Sequence, residues 1–167
     1  MIVRHLFAVL VFPVTVVILI PGWIARVNDV AIALPTTVTG WGAWLFGLLC
    51  LIAGGALFST SLRRFGREGG GTLAPWDPPV RLVVRGPYAH VRNPMISGVV
   101  LFLMSEGLLL RSAPQLAWAG LFFLINAVYI PLLEEPGLRV RFGQDYDDYA
   151  RNVPRLVPRL TPWNDEE

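Results

Sequence analysis

The sequence has no lysine, a single cysteine, two histidines and little charge of either sign. One cysteine cannot form an internal disulfide, so Cys50, set in an apolar run, reads as a small buried hydrophobe and leaves the redox compartment undetermined. No pair of His and Cys has metal-ligand spacing, which excludes a zinc site. The glycine stretch Gly66, Gly69, Gly70 and Gly71 is followed by no Gly-Lys-Ser/Thr and reads as a flexible linker, not a phosphate loop. A Ser-His-Asp hydrolase is unsupported, because no nucleophile elbow is present. Charged residues make up 16% of the chain, against roughly a quarter in a soluble domain. The net charge of +2 is too small to argue for a nucleic-acid partner.

In place of charge the chain has apolar runs. Hydrophobic residues make up 54% of its 167 residues, and the mean hydropathy is +0.54. Leu6 to Ala25, Val38 to Leu62 and Ser112 to Leu133 carry no charge. Each is long enough for the roughly 20 helical residues a bilayer core requires. A fourth run, Met95 to Leu110, is shorter and contains Glu106; Pro94 suits the first turn of its helix. These runs predict one all-α integral membrane domain over 1–167, with four transmembrane helices near residues 6–25, 38–61, 94–111 and 113–133. Pro13 interrupts the first. Gly47, Gly54 and Gly55 give the second a small-residue face for close helix approach. Trp23, Trp41, Trp44 and Trp118 lie near span ends, where interfacial aromatics collect. A cleaved leader is disfavoured, since the possible site at Ala31 and Ala33 lies too far beyond Ile20.

The arginines give the orientation. Arg63, Arg64, Arg67, Arg81, Arg85 and Arg92 separate the second and third runs. Arg139, Arg141, Arg151, Arg155 and Arg159 follow the fourth, and Arg4 precedes the first. The other two connections hold only Arg26 and Arg111. With four spans, the arginine-rich segments share one side, and the positive-inside rule makes it cytoplasmic. Both termini are then cytoplasmic, in a multi-pass membrane protein.

The first cytoplasmic segment contains Ala74-Pro75-Trp76-Asp77-Pro78-Pro79, which excludes helix, then a short extended stretch at Arg81-Leu82-Val83-Val84 and a turn at Gly86-Pro87-Tyr88. The second opens with Glu134-Glu135. A helix from about Pro136 to Asn152 would set Leu138, Phe142, Tyr146 and Tyr149 on one side, with Val153-Pro154 ending it and a disordered tail beyond. Acids at a membrane boundary facing Tyr88, His90, Arg92 and Asn93 are costly unless paired or used. Taken alone, the acids also fit a solvated helix end paired with arginine, and His90 an interfacial packing residue.

The run from Gly86 to Gly98, Gly-Pro-Tyr-Ala-His-Val-Arg-Asn-Pro-Met-Ile-Ser-Gly, resembles the signature of the isoprenylcysteine carboxyl methyltransferase and phospholipid methyltransferase superfamily. So does Glu134-Glu135 followed by Leu138, Phe142-Gly143, Tyr146, Tyr149 and Val153-Pro154-Arg155. The Ala74–Pro79 run looks like the version in small bacterial members. The resemblance covers about 71–158, the expected cofactor-binding part.

The resemblance implies a pocket for S-adenosylmethionine at the cytoplasmic membrane face, covered by the C-terminal helix and open to lipid. It implies cofactor-binding roles for Leu82, Val83, Tyr88, Asn93, Pro94, Glu134, Glu135, Tyr146 and Tyr149, with one of the two acids taking the cofactor's amino group. It implies a lipophilic or small-molecule methyl acceptor: a carboxylate, an amine or a thiol. Glu134, Glu135 and His90 are candidates for a base. Ile96 stands where many members have Tyr. Ile130 stands where the resemblance to prenylcysteine enzymes expects a substrate-contacting Arg. Two other readings fit part of the pattern, an NADPH-dependent membrane reductase on a related scaffold and a non-catalytic membrane module. The residues leave the oligomeric state open.

Overall fold

A computed structural model of the chain describes residues 13–69 and 80–163. The start of the first apolar run, the Ala74–Pro79 segment and the acidic tail lie outside the described residues. Among the described residues every regular element is helical. A π-helical turn, Thr15–Leu19, leads into α1 (Ile20–Val27), and α2 runs over Val38–Glu68. A short 3-10 turn, Gly86–Ala89, precedes α3 (Pro94–Leu109). Then α4 (Ala113–Tyr129) passes through a second π-helical turn, Ile130–Glu134, into α5 (Glu135–Phe142), and α6 (Gln144–Asn152) follows. Two helical runs, Val38–Glu68 and Ala113–Phe142, are long and apolar enough to cross a membrane. Thr15–Val27 and Pro94–Leu109 are apolar but shorter.

Both π-helical turns end two residues before a proline, Pro21 in one case and Pro136 in the other. A proline inside a helix has no N–H to donate, and its ring meets the carbonyl four residues back. Widening the turn to i→i+5 bonding relieves that contact without ending the helix. In each turn the residue before the proline closes the wide loop, Ile20 N–H on the Thr15 carbonyl and Glu135 N–H on that of Ile130. Helix therefore continues past residue 133, the expected end of the last span, as far as Phe142.

The chain divides into two compact units, residues 1–56 with 98–123, and residues 57–97 with 124–167. The first is held by close backbone approach. A Cβ on Gly54 would lie 2.8 Å from the Gly98 carbonyl oxygen, and one on Gly47 3.0 Å from Leu108 Cβ. These are the small-residue contacts predicted for the second run, and they let α2 and α3 meet nearly backbone to backbone. The Trp118 indole donates to the Val16 carbonyl at 3.1 Å, and the Gln115 amide to that of Pro21 at 2.9 Å. In a turn with i→i+5 bonding the donor for Val16 would be residue 21, so the indole replaces the N–H that Pro21 lacks.

The second unit has a core of Tyr146, Tyr149 and Val153, packed by Leu82, Val84, Leu138, Phe142, Ala150 and Trp163. The single helix expected from Pro136 to Asn152 is two helices. Gly143, at φ 56° and ψ −130°, breaks it in a conformation that L side chains rarely adopt. The periodicity of Leu138, Phe142, Tyr146 and Tyr149 survives because both short helices turn those faces to one core. Val153 is extended and ends α6, as the Val-Pro pair predicts.

Candidate functional site: an acidic pair beside a stitched loop

The site belongs to the second unit and starts at a glycine. Gly86 has φ +63°, a conformation that favours glycine, and a Cβ there would approach the Arg64 guanidinium to 3.1 Å. The turn it opens, with Pro87 second, buries Tyr88 and Ala89. Leu82, half-buried, and Val83, buried, precede it without forming a strand, and Arg85 is extended. Pro94, buried, is the first residue of α3, as expected.

The segment 88–97, which runs into α3, is stitched to the chain that follows α6. The amide N–H groups of Arg92 and Asn93 donate to the carbonyls of Pro154 (2.8 Å) and Arg155 (3.1 Å). Those of Arg159 and Trp163 donate to the carbonyls of His90 and Ala89, each at 2.9 Å. Side chains reinforce the seam: Asn93 Nδ2 donates to the Arg155 carbonyl at 3.2 Å and the Ser97 hydroxyl to that of Leu156 at 2.7 Å. His90 Nδ1 lies 2.9 Å from the Arg159 carbonyl. A carbonyl only accepts, so Nδ1 carries a hydrogen and donates it. The Tyr149 hydroxyl donates to the Tyr88 carbonyl at 2.7 Å. Buried backbone polar groups need such partners, and here irregular chain supplies them without a sheet.

The two acids differ sharply. Glu135 is 3% exposed and takes a bidentate pair from Arg155, Nε at 2.6 Å and Nη2 at 3.1 Å, together with Arg92 Nη1 at 3.0 Å. Glu134 is exposed, with no hydrogen-bond or ion-pair partner among the described residues. Successive helical residues point about 100° apart, so one carboxylate turns into the seam and the other away from it. The Arg92 side chain is only 9% exposed. Its Nη1 also reaches the Tyr146 hydroxyl at 3.4 Å, while its Nε is buried without a partner.

Burial, and then the nearby Glu134 carboxylate, push the Tyr88 hydroxyl well above its ordinary range. Burial does the same to Tyr149. Tyr146 is raised by burial and then by Glu135, with Arg92 opposing. The hydrogen bond to Glu135 holds Arg155 above its ordinary value. All three tyrosines are therefore neutral hydrogen-bonding groups at physiological pH.

Of the sequence-predicted residues, Tyr88, Glu134, Glu135, Tyr146 and Tyr149 come together around this cluster. Asn93 and His90 face the seam instead, through their bonds to residues 155 and 159. Sequence reasoning did not pair Arg155 and Arg92 with Glu135. The sequence set the acids facing Arg92 and allowed them an unspecified arginine partner, and Arg155 stood in the Val-Pro-Arg motif. A cleft of about 390 Å³ in the first unit, lined by Asn28, Leu110, Arg111 and Ser112 among others, contains none of the predicted site residues.

Among the described residues, two helices are long and apolar enough to cross a membrane, and a buried acid–arginine cluster joins α5 to the loop before α3 and to the chain after α6. The comparisons supply the family. Residues 43–145, more than half the chain, match the phospholipid methyltransferase family, and the chain belongs to it. It is 27% identical over 150 residues to the nickel-cobalt-cadmium resistance protein NccN of Alcaligenes xylosoxydans xylosoxydans, covering 86% of this chain and 66% of that one. It is 38% identical over 76 residues to methanethiol S-methyltransferase 2 of Bradyrhizobium diazoefficiens, covering 44% and 27%. It is 30% identical over 120 residues to protein-S-isoprenylcysteine O-methyltransferase B of Arabidopsis thaliana, covering 71% and 60%. In each case the matched stretch is less than two thirds of the relative's length.

Proposed function

We propose that the chain is an S-adenosylmethionine-dependent methyltransferase acting at the cytoplasmic face of a bacterial inner membrane on a lipophilic or membrane-accessible acceptor. Four apolar helices cross the membrane as one domain, the two short ones aided by their ends. The arginine-rich segments and both termini are cytoplasmic. Family membership supports methyl transfer, and two of the relatives carry that activity in their names.

The observation that carries the reading is that Glu134, unlike Glu135, has no hydrogen-bond or ion-pair partner among the described residues, while its charge is felt by the buried Tyr88 hydroxyl. The residues fit the cofactor. Its ammonium needs an acceptor, and Glu134 is the acid of the pair not already committed to arginine. Its sulfonium suits an aromatic face, and Tyr88, Tyr146 and Tyr149 cluster nearby. When bound, it supplies an electrophilic methyl group.

The chain's own residues do the rest. Glu134 holds the ammonium by a charge-assisted hydrogen bond. The backbone at Leu82 and Val83 and the loop from Tyr88 through Asn93 and Pro94 form the wall of the pocket. The stitched C-terminal segment, with Tyr146 and Tyr149, keeps water away from the displacement. A thiolate or carboxylate acceptor needs no base. An amine does, and His90 and Glu134 remain as candidates, since both Glu135 oxygens face guanidinium. Ile130, 1% exposed, offers no cation to an acceptor carboxylate, which favours an amine or thiol.

Calorimetry with S-adenosylmethionine on the purified protein, beside Glu134→Ala, tests the reading. Saturable binding weakened about tenfold or more by the substitution is expected. No binding in a folded preparation would sink it and shift weight to a reductase or a non-catalytic module.

A further inference from the structure

We propose that the cleft between the end of α1 and the α3–α4 turn is an anion site, in which Arg111 takes the phosphate of a phospholipid headgroup or a free phosphate group. The site lies wholly in the first unit and does not rest on the proposed cofactor reading.

The backbone at this cleft is unusual on both sides. After α3 the N–H groups of Arg111 and Ser112 donate to the carbonyls of Leu108 (3.3 Å) and Gly107 (2.9 Å). This nested pair of bonds closes a helix through one left-handed residue, most often glycine. Here that residue is Arg111, at φ 51°. A long cation at such a position gives up stability that glycine would supply. Asp29, at φ 48°, holds the equivalent place after α1, where the Val30 N–H donates to the Ala25 carbonyl at 2.9 Å. These are the two non-glycine residues of positive φ among the described residues, and their two turns supply the two sides of one cleft. Backbone strain of this kind gathers where ligands are held.

The lining gives the chemistry. The cleft holds about 390 Å³, within the ~300–1,000 Å³ of small-molecule sites. Val30, Ala31 and Leu110 make apolar walls, and Asn28, Arg111 and Ser112 supply polar groups. Arg111 is the one charged residue lining it among the described residues, and its guanidinium has no hydrogen-bond or ion-pair partner among them. The Asp29 carboxylate lies outside the lining, so Arg111 sets the sign of the charge. A guanidinium can give a phosphate two parallel N–H bonds. Apolar walls beside one cation fit a phosphate that carries an apolar tail. In the proposed four-span topology this cleft is on the outer side, where phospholipid headgroups lie; free phosphate offers the same chemistry.

Calorimetry on the full-length protein in micelles tests the site with three probes: dioctanoyl phosphatidylglycerol, dioctanoylglycerol, which has the tails and no phosphate, and inorganic phosphate. The wild-type protein should bind the phospholipid saturably, about tenfold or more tightly than dioctanoylglycerol. Inorganic phosphate binding as well as the phospholipid would assign the site to the free anion, and weaker binding to the lipid. Arg111→Gly should weaken phosphate binding about tenfold or more, yet raise Tm by about 2–4 °C, because glycine suits the left-handed turn. An arginine kept for structure would lower Tm when removed. Ala31→Trp fills the cleft with Arg111 in place and should also block binding. No saturable binding of either phosphate probe, dioctanoylglycerol bound as well as the phospholipid, undiminished binding in Arg111→Gly, or a fall in its Tm overturns the inference. Each of those outcomes leaves the methyltransferase reading standing.

Discussion

The two proline-widened turns have the same covalent cause and opposite uses. At Thr15–Leu19 the proline leaves a carbonyl without its donor, and the Trp118 indole fills the place. The outcome is a neutral seam inside an apolar unit. At Ile130–Glu134 the wide turn carries the helix past Pro136 and delivers two consecutive acids to a polar seam. One acid is locked between two arginines, and the other has no hydrogen-bond or ion-pair partner among the described residues. A helix defect is thus a structural joint where side chains close it, and a candidate binding element where they do not.

The largest effect that would break this comparison is at Glu135. Glu135→Ala leaves Arg92 and Arg155 facing each other without their carboxylate. Removing one partner of a buried pair costs about 3–5 kcal/mol. Denaturant unfolding in micelles should show a loss of that order, and a loss under ~1 kcal/mol would mean that the seam does not depend on the triad. Glu134→Ala, its neighbour, should leave stability nearly unchanged, because that carboxylate has no partner to lose.

Next comes Gly54→Ala in the first unit. Its Cβ would lie 2.8 Å from the Gly98 carbonyl, so backbone must shift, at about 1–3 kcal/mol. A neutral result would show that α2 and α3 have room to move apart.

Trp118→Phe sharpens the account of the first turn. It removes the indole donor from Val16 and should cost about 1 kcal/mol or more. In a Pro21→Ala background, residue 21 regains its own N–H and the same change should cost less. Strict additivity in that double-mutant cycle would separate the indole from the proline.

The smallest effect concerns the tyrosines. Tyr149→Phe loses the bond to the Tyr88 carbonyl and should cost about 1 kcal/mol. Burial also raises the Tyr88 and Tyr149 hydroxyls far above the ordinary value of 10.0. The unfolded chain loses these protons near pH 10, and the folded chain keeps them. The folded state therefore binds more protons above pH 10, and stability falls as pH rises there. An alkaline absorbance titration should show Tyr88 and Tyr149 ionising only on unfolding. Early ionisation of both would contradict their burial.

Much of this was legible in the sequence. The apolar runs, the Asn-Pro helix start at Pro94, the Val-Pro stop after α6 and the Gly-Pro-Tyr turn all rest on local rules, and the last three lie at their expected places, whereas the helices over 38–61 and 113–133 run on to Glu68 and Phe142. The break at Gly143 was missed because the periodicity of Leu138, Phe142, Tyr146 and Tyr149 is the same whether one helix or two present them. The last helix outruns its expected end because a run of charge marks a solvent boundary, not a helix boundary.

By itself the sequence determined the helical class, the arginine asymmetry and the residues of the family motif, since composition, period and proline placement act over a few residues at a time. Only the tertiary structure decided which acid of Glu134-Glu135 is locked and which is left without a partner. That choice depends on Arg155, twenty residues along, and on Arg92, in another segment, and no local rule couples groups so far apart in the chain.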